Sequence, residues 1–238
     1  MNGYIPFNTI PTEADRIAYD ERLRKYMLQV YNYMTVALGI SGLVAMGLNF
    51  NPALMALIWG TPFKWVAILS PLAASLGFSY FFDRLTVRAA QLAMFSFAAL
   101  MGLSLSSIFL VFKLGSIAQV FFIAASTFGA ASIYGYTTKR DLTSFGSFLV
   151  MGVIGLVIAG LVNLFLQSSM FALVISCLGV LIFTGLTAYD TQTIKDAYDN
   201  IDGADAREKA GIFGALQLYL DFINIFTSLL QILGDKKE

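Results

Sequence analysis

Two aspartates, Asp190 and Asp221, stand inside long apolar stretches of the chain. An ionisable side chain at membrane depth is costly and marks function by default. Asp190 is the only charged residue between Asp141 and Lys195. Asp221 belongs to a polar series, Gly214, Gln217, Asp221, Asn224, Ser228 and Gln231, whose successive spacings of 3, 4, 3, 4 and 3 place all six on one helix face. Thr184, Thr187 and Asp190 recur on one side of the preceding segment, and Thr191 extends that patch. If the two segments are consecutive antiparallel helices, the two acids meet at similar depth. Close carboxylates in a poorly solvated site cannot easily both ionise, so such a pair shares a proton and senses pH without histidine. Deprotonated, it offers hard oxygen ligands suited to Ca²⁺. The plainer reading of Asp221 alone is a structural hydrogen bond to a neighbouring helix.

The elements that carry these residues follow from composition. Of 238 residues, 58% are hydrophobic and 13% charged, and the mean hydropathy is +0.73. A water-soluble domain carries roughly 25% charged residues, so this surface must face lipid. Seven segments are long and apolar enough to cross a bilayer, at 28–50, 65–82, 89–112, 116–136, 142–166, 170–194 and 211–233. The chain reads as an all-α integral membrane protein, a seven-transmembrane helical bundle over 26–234 with a polar N-terminal tail at 1–25 and a short tail at 235–238. No cleavable signal peptide is expected, because residues 1–25 are polar and mixed in charge. Connections are short, the longest polar one being 195–210, so successive helices pack as antiparallel neighbours.

The polar stripe settles the place of the last helix. A continuous polar face cannot look into lipid without large cost. A helix lying on the membrane surface is the competing reading, but such helices carry Lys or Arg on the polar face, and this stripe has neither. The C-terminal helix is therefore expected at the centre, with the other six around it. Small residues in the spans, such as Gly102 and Ser106, read as close helix packing. Asp83 and Asp141 sit at helix ends, where water solvates them.

Other chemistry is sparse. There is no histidine, and the single cysteine, Cys177, lies in an apolar run and reads as a core residue. The basic and acidic residues balance at 15 each, which gives no footprint for nucleic acid. The acidic series Asp196, Asp199, Asp202, Asp205 and Glu208 fails as an EF-hand loop, because Ile201 occupies a ligand position. It reads as a solvated linker. Eleven of the 15 Lys and Arg residues fall in the N-terminal tail and alternate loops, against four on the other side. The N-terminus is thus expected in the cytoplasm. The C-terminus lies outside if the seventh segment spans, whereas Lys236 and Lys237 would suit a re-entrant helix.

Three stretches resemble a known family. They are Gly135-Tyr136-Thr137-Thr138-Lys139-Arg140-Asp141-Leu142, then Thr187-Ala188-Tyr189-Asp190-Thr191-Gln192-Thr193-Ile194-Lys195, and Leu218-Tyr219-Leu220-Asp221-Phe222-Ile223-Asn224-Ile225-Phe226. They are similar to the Bax inhibitor-1 family, also called the transmembrane Bax inhibitor motif family, and to its bacterial members. The likeness covers roughly residues 25–233. It implies a seven-helix bundle with a central last helix, a bacterial inner-membrane location, and a pH-sensitive calcium leak whose paired aspartates map onto Asp190 and Asp221. It also implies a latch from an arginine near the end of the second helix, here Arg84 or, as second choice, Arg88. Asp83 competes for Arg84.

These readings converge on a calcium leak channel gated by protonation of the di-aspartyl pair, with Thr187, Gln217, Asn224 and Ser228 as its supporting polar face. The expected metal contacts are Asp190 and Asp221, with Ca²⁺ as transported ion and no permanently bound cofactor. The expected partners are the lipid bilayer, Ca²⁺, protons and other membrane proteins. Competing readings are a regulatory membrane protein that binds a protease or a stress or cell-death partner, a proton-coupled transporter, and an intramembrane aspartyl protease. Tyr189-Asp190 fits half of the protease signature, but Leu218-Tyr219-Leu220 stands where Gly-x-Gly is needed before Asp221. No enzyme is expected.

Overall fold

Apolar segments in lipid must satisfy their backbone hydrogen bonds internally, and this chain does so with helices. The computed structural model describes residues 13–237, apart from the side chains of Asp15, Ser79 and Asp83. Residues 1–12 of the N-terminal tail and Glu238 thus lie outside the described residues. In order, the helices are α1 (Glu13–Asn49), α2 (Pro52–Trp59), α3 (Lys64–Phe81), α4 (Val87–Leu105), α5 (Ile108–Val111), α6 (Leu114–Thr137), α7 (Thr143–Leu166), α8 (Ser169–Asn200) and α9 (Ala204–Leu233). The fold is an all-α membrane bundle.

Six stretches are each long and apolar enough to span: Arg16–Asn49, Val87–Val111, Leu114–Thr137, Thr143–Leu166, Ser169–Asn200 and Ala204–Leu233. The segment expected at 65–82 is different. It qualifies only as a pair with α2, and the two helices meet at 78°. The break lies at 60–63, where Pro62 disfavours helical geometry at Thr61. Asn51 starts α2 by accepting the Leu54 N–H at 3.2 Å.

Three boundaries differ from the sequence expectation for one reason. Hydropathy marks the part of a helix inside lipid, not the helix. The polar residues before 28 continue α1 outward, and α8 runs to Asn200 while α9 starts at Ala204. The expected loop 195–210 is therefore a three-residue turn, made at Gly203 with φ 93°, a region that favours glycine. The protruding ends brace one another. Tyr19 donates to Asp199 at 2.6 Å, and Arg207 donates to the Ile201 carbonyl at 2.8 Å.

The last helix is central. Of its span, 67% is buried inside the protein, against 6% for α7. It packs on α8, α1, α6 and α4. Tyr219 is fully buried, and its hydroxyl meets Ser41 Oγ at 2.7 Å while Ser41 donates to the Ala98 carbonyl at 2.8 Å. That chain ties α9 to α1 and α4. Phe222 packs against Phe121 and Phe128 of α6, with ring centres 5.4 and 5.8 Å apart. The far end of α9 is clasped: Lys113 N–H donates to the Asp235 carbonyl at 2.9 Å and Lys237 N–H to the Val111 carbonyl at 2.8 Å. The helix is continuous from Ala204 to Leu233.

Close approach fixes the register around it. A side chain on Gly135 of α6 would run into the Ala188 backbone of α8, and one on Gly214 of α9 would meet Ile194 at 2.7 Å. We expect Gly135→Ala to destabilise the bundle by about 1–3 kcal/mol, as overpacking does. Gly129→Ala, on the same helix but facing open space, should be neutral or gain the usual helix-propensity benefit of about 1 kcal/mol. Thermal melting of both variants in detergent checks the opposite signs.

Candidate functional site

The register that places the two aspartates can be read from α8 and α9. Gly214 faces Ile194, and Gly179 faces Ser228. Between those contacts Asp221 is level with Thr187, three residues from Asp190, or about 4.5 Å of helix rise. Two short side chains close that gap. The carboxyl groups of Asp190 and Asp221 face each other within hydrogen-bonding reach. A carboxylate can only accept a hydrogen bond, so a bond across this contact requires a proton on one of the two. Asp190 is 9% exposed and Asp221 5%, which shields both carboxyls from bulk water.

The polar stripe of α9 is the face turned to α8, as the contacts of Gly214, Asp221 and Ser228 show. Thr187 is fully buried opposite Asp221, with its hydroxyl donating to the Phe183 carbonyl at 2.8 Å. Gln217, Asn224 and Ser228 are half-buried, and Asn224 Nδ2 donates to the Leu220 carbonyl at 2.8 Å. Gln231, at the end of the stripe, is exposed. The apolar side of α9 is covered too: Leu216, Phe222, Ile223, Phe226 and Leu230 are all buried.

The two sides of the pair differ in character. One turn toward the α8–α9 connection lies a cavity of about 480 Å³, lined by Thr193, Ile194, Gly214, Gln217 and Tyr26 among others. Toward the opposite end lies an apolar cavity of about 230 Å³, walled by Phe121, Phe222, Ile223 and Phe226. Three buried side-chain atoms among the described residues lack a hydrogen-bond partner: Asp221 Oδ2, Thr184 Oγ1 and the Tyr26 hydroxyl. Asp221 and Thr184 belong to the α8–α9 seam, and Tyr26 gives onto the larger cavity. Each such orphan costs on the order of 1–3 kcal/mol, so the two that fall on α8 and α9 set that seam apart from ordinary core. Asp190 and Asp221 supply the only acidic oxygens here, since no group of three His, Cys, Asp or Glu residues converges among the described residues.

The arginines expected as latches do not reach the pair. Arg84 ends a short 3₁₀ turn and is exposed. Arg88 is exposed beside Gln91, Asp205 and Glu208. Neither is ion-paired or hydrogen-bonded to Asp190 or Asp221. Asp141, between spans, sits at the start of α7, where hydrogen bonds from Thr143 hold its carboxyl below the usual carboxylate range.

Several partners were not legible in the sequence. Tyr31 of α1 meets Ser132 of α6 at 2.5 Å, and Ser132 meets Thr191, next to Asp190, at 3.0 Å. Gln192 accepts the Leu142 N–H and donates to the Arg140 carbonyl, both at 2.8 Å, and Lys195 donates to the Tyr136 carbonyl at 3.0 Å. Tyr33, Gln91 and Glu208 form a second cluster joining α1, α4 and α9. Hydroxyls and amides in helices often bond their own backbone, so nothing in their spacing announced these cross-helix contacts.

Comparison with known proteins matches nearly the whole chain. The profile of the family described as inhibitor of apoptosis-promoting Bax1 matches residues 23–238. An uncharacterized protein of Rickettsia prowazekii is 44% identical over 97% of this chain and 98% of its own. The Escherichia coli K12 inner membrane protein YbhL is 43% identical, with 90% and 93% covered. An uncharacterized protein of Caulobacter vibrioides is 40% identical, with 97% and 96% covered.

Ser132→Ala removes the link between Tyr31 and Thr191, and the expected loss is about 1–3 kcal/mol if both hydroxyls are left unpaired. Ser132→Thr keeps the hydroxyl and should recover part of it. Melting curves of the two variants decide this.

Proposed function

The chain belongs to the Bax inhibitor-1 family, and we propose that it is a pH-sensitive calcium leak channel whose gate is the Asp190–Asp221 pair. The observation that carries this reading is the pair itself: two buried carboxyls facing each other across the α8–α9 seam, in the core of a membrane bundle. We place the protein in the bacterial inner membrane with its N-terminus in the cytoplasm, so the 480 Å³ cavity is the cytoplasmic vestibule.

The present state is closed. The carboxyl–carboxyl bond pins α9 to α8, and the Phe121–Phe222–Phe226 cluster blocks the path beyond. Loss of the shared proton puts a second negative charge in the seam. Repulsion then opens the pair, and a cation is drawn in. No cation offsets that charge in place: among the described residues none bonds either carboxyl, and the Lys195 ammonium on α8 is engaged by the Tyr136 carbonyl. The tyrosines of the packed helices are likewise turned elsewhere, Tyr219 to Ser41 and Tyr31 to Ser132.

Ca²⁺ takes six to eight oxygens. The two aspartates supply a minority, with Thr187, Gln217, Asn224 and water as further donors. Such a site binds weakly, as conduction requires.

In liposomes loaded with a Ca²⁺-sensitive dye, flux through the wild-type protein should rise as pH is raised. Asp190→Asn and Asp221→Asn should each lower flux severalfold and flatten its pH dependence. Flux that is unchanged in both variants rules out the gate, and a protein with no flux at any pH, correctly folded, leaves the regulatory reading in its place.

A further inference from the structure

A second site lies outside the seam, on the lipid-facing side of the bundle. Helices α1 and α6 do not close against each other along their length. Between them runs a groove of about 450 Å³, walled by Met27, Leu28, Phe128 and Ile133 and open to the membrane. Leu28 and Ile133, its lips, are 56% and 66% exposed. The floor is polar: Tyr31 and Ser132 join there by their hydroxyls. One end holds Arg24 and Tyr136.

We propose that this groove binds one anionic phospholipid, with an acyl chain between α1 and α6 and its headgroup phosphate on Arg24. Three observations specify that occupant. The groove is apolar along its walls and faces the acyl region, where no water-soluble ligand approaches. Phe128 to Tyr136 spans eight residues, or about 12 Å of helix rise, so the groove runs from bundle depth to the interface as an acyl chain does. Arg24 is exposed at the interfacial end and makes no hydrogen bond or ion pair among the described residues. Its acidic neighbour Glu21 is salt-bridged to Lys25, which leaves the Arg24 guanidinium to match a phosphate in charge and geometry. Lys139 and Arg140, just past the end of α6, add to the positive field there. The proposal does not rest on calcium conduction. Its floor does reach Thr191 through Ser132, so an occupied groove would press on the wall of the aspartate site.

Native mass spectrometry of the purified full chain, with phosphatidylglycerol and phosphatidylcholine of matched acyl chains, tests it. The wild-type protein should retain one phosphatidylglycerol in preference to phosphatidylcholine. Arg24→Gln, on the surface, should weaken phosphatidylglycerol retention about fivefold, as loss of one basic residue near a charged headgroup does, and abolish the preference. Gly129→Leu, which grows from open space into the groove, should lower retention of both lipids. Equal retention in all three proteins overturns the site. So does equal retention of the two lipids by the wild type, or a dimer that Gly129→Leu dissolves, which would assign the groove to a second copy.

Discussion

The burial of two facing carboxyls, Asp190 and Asp221, in the seam between α8 and α9 is the constraint to which the surrounding packing answers. A hydrogen bond between them needs a proton, it needs two helix backbones close together, and it needs isolation from water. Isolation requires that α9 be surrounded, and α8, α1, α6 and α4 do surround it. Close approach requires small residues where the helices meet, which Gly214 and Gly179 provide on either side of the pair. A buried charge without a partner is strongly unfavourable, so on the proposed reading a proton shared by the pair makes this packing compatible with two acids. The bundle and the protonation state are in that sense one equilibrium.

The three sequence stretches that resemble the family turn out to be neighbours in space. Gly135 abuts Ala188, Gln192 holds the Arg140 and Leu142 backbone, and Lys195 caps the Tyr136 carbonyl. The first two stretches therefore form one interlocked unit at the end of α6 and α8. The third contributes Asp221 to the pair, Tyr219 to the Ser41 link and Phe222 to the aromatic cluster.

What the sequence disclosed depended on periodicity. The 3-4-3-4-3 stripe placed Asp221 on a polar helix face and predicted a central helix, because a single helix carries that information in one continuous run. Asp190 was legible as the lone charge in its span. The bent α2–α3 pair was not, since hydropathy reports apolar length and not the 78° angle at which two short segments join. Nor was the three-residue turn at 201–203, because polar helix and polar loop look alike by composition. The Tyr31–Ser132–Thr191 chain joins residues from three helices, and long-range pairing leaves no mark on one sequence. The place of Arg84 came from resemblance, and in this state its guanidinium is elsewhere.

The asymmetry of the seam bears on how a proton could govern an ion. On one side of the pair the lining includes Gln217, Thr193 and the unpartnered Tyr26 hydroxyl. On the other, Phe222 and Phe226 of α9 pack edge-to-face against Phe121. Asp221 and Phe222 are adjacent in sequence, and Phe226 lies five residues from Asp221. Any rotation or shift of α9 that parts the carboxyls must also move those rings, since a helix transmits displacement rigidly over one or two turns. On the proposed reading, breaking one hydrogen bond therefore has two effects: it exposes the cation ligands and it unseats the aromatic barrier. A helix carrying both sensor and barrier within two turns needs no separate coupling element, which gives a physical reason for the last helix to lie at the centre of the bundle.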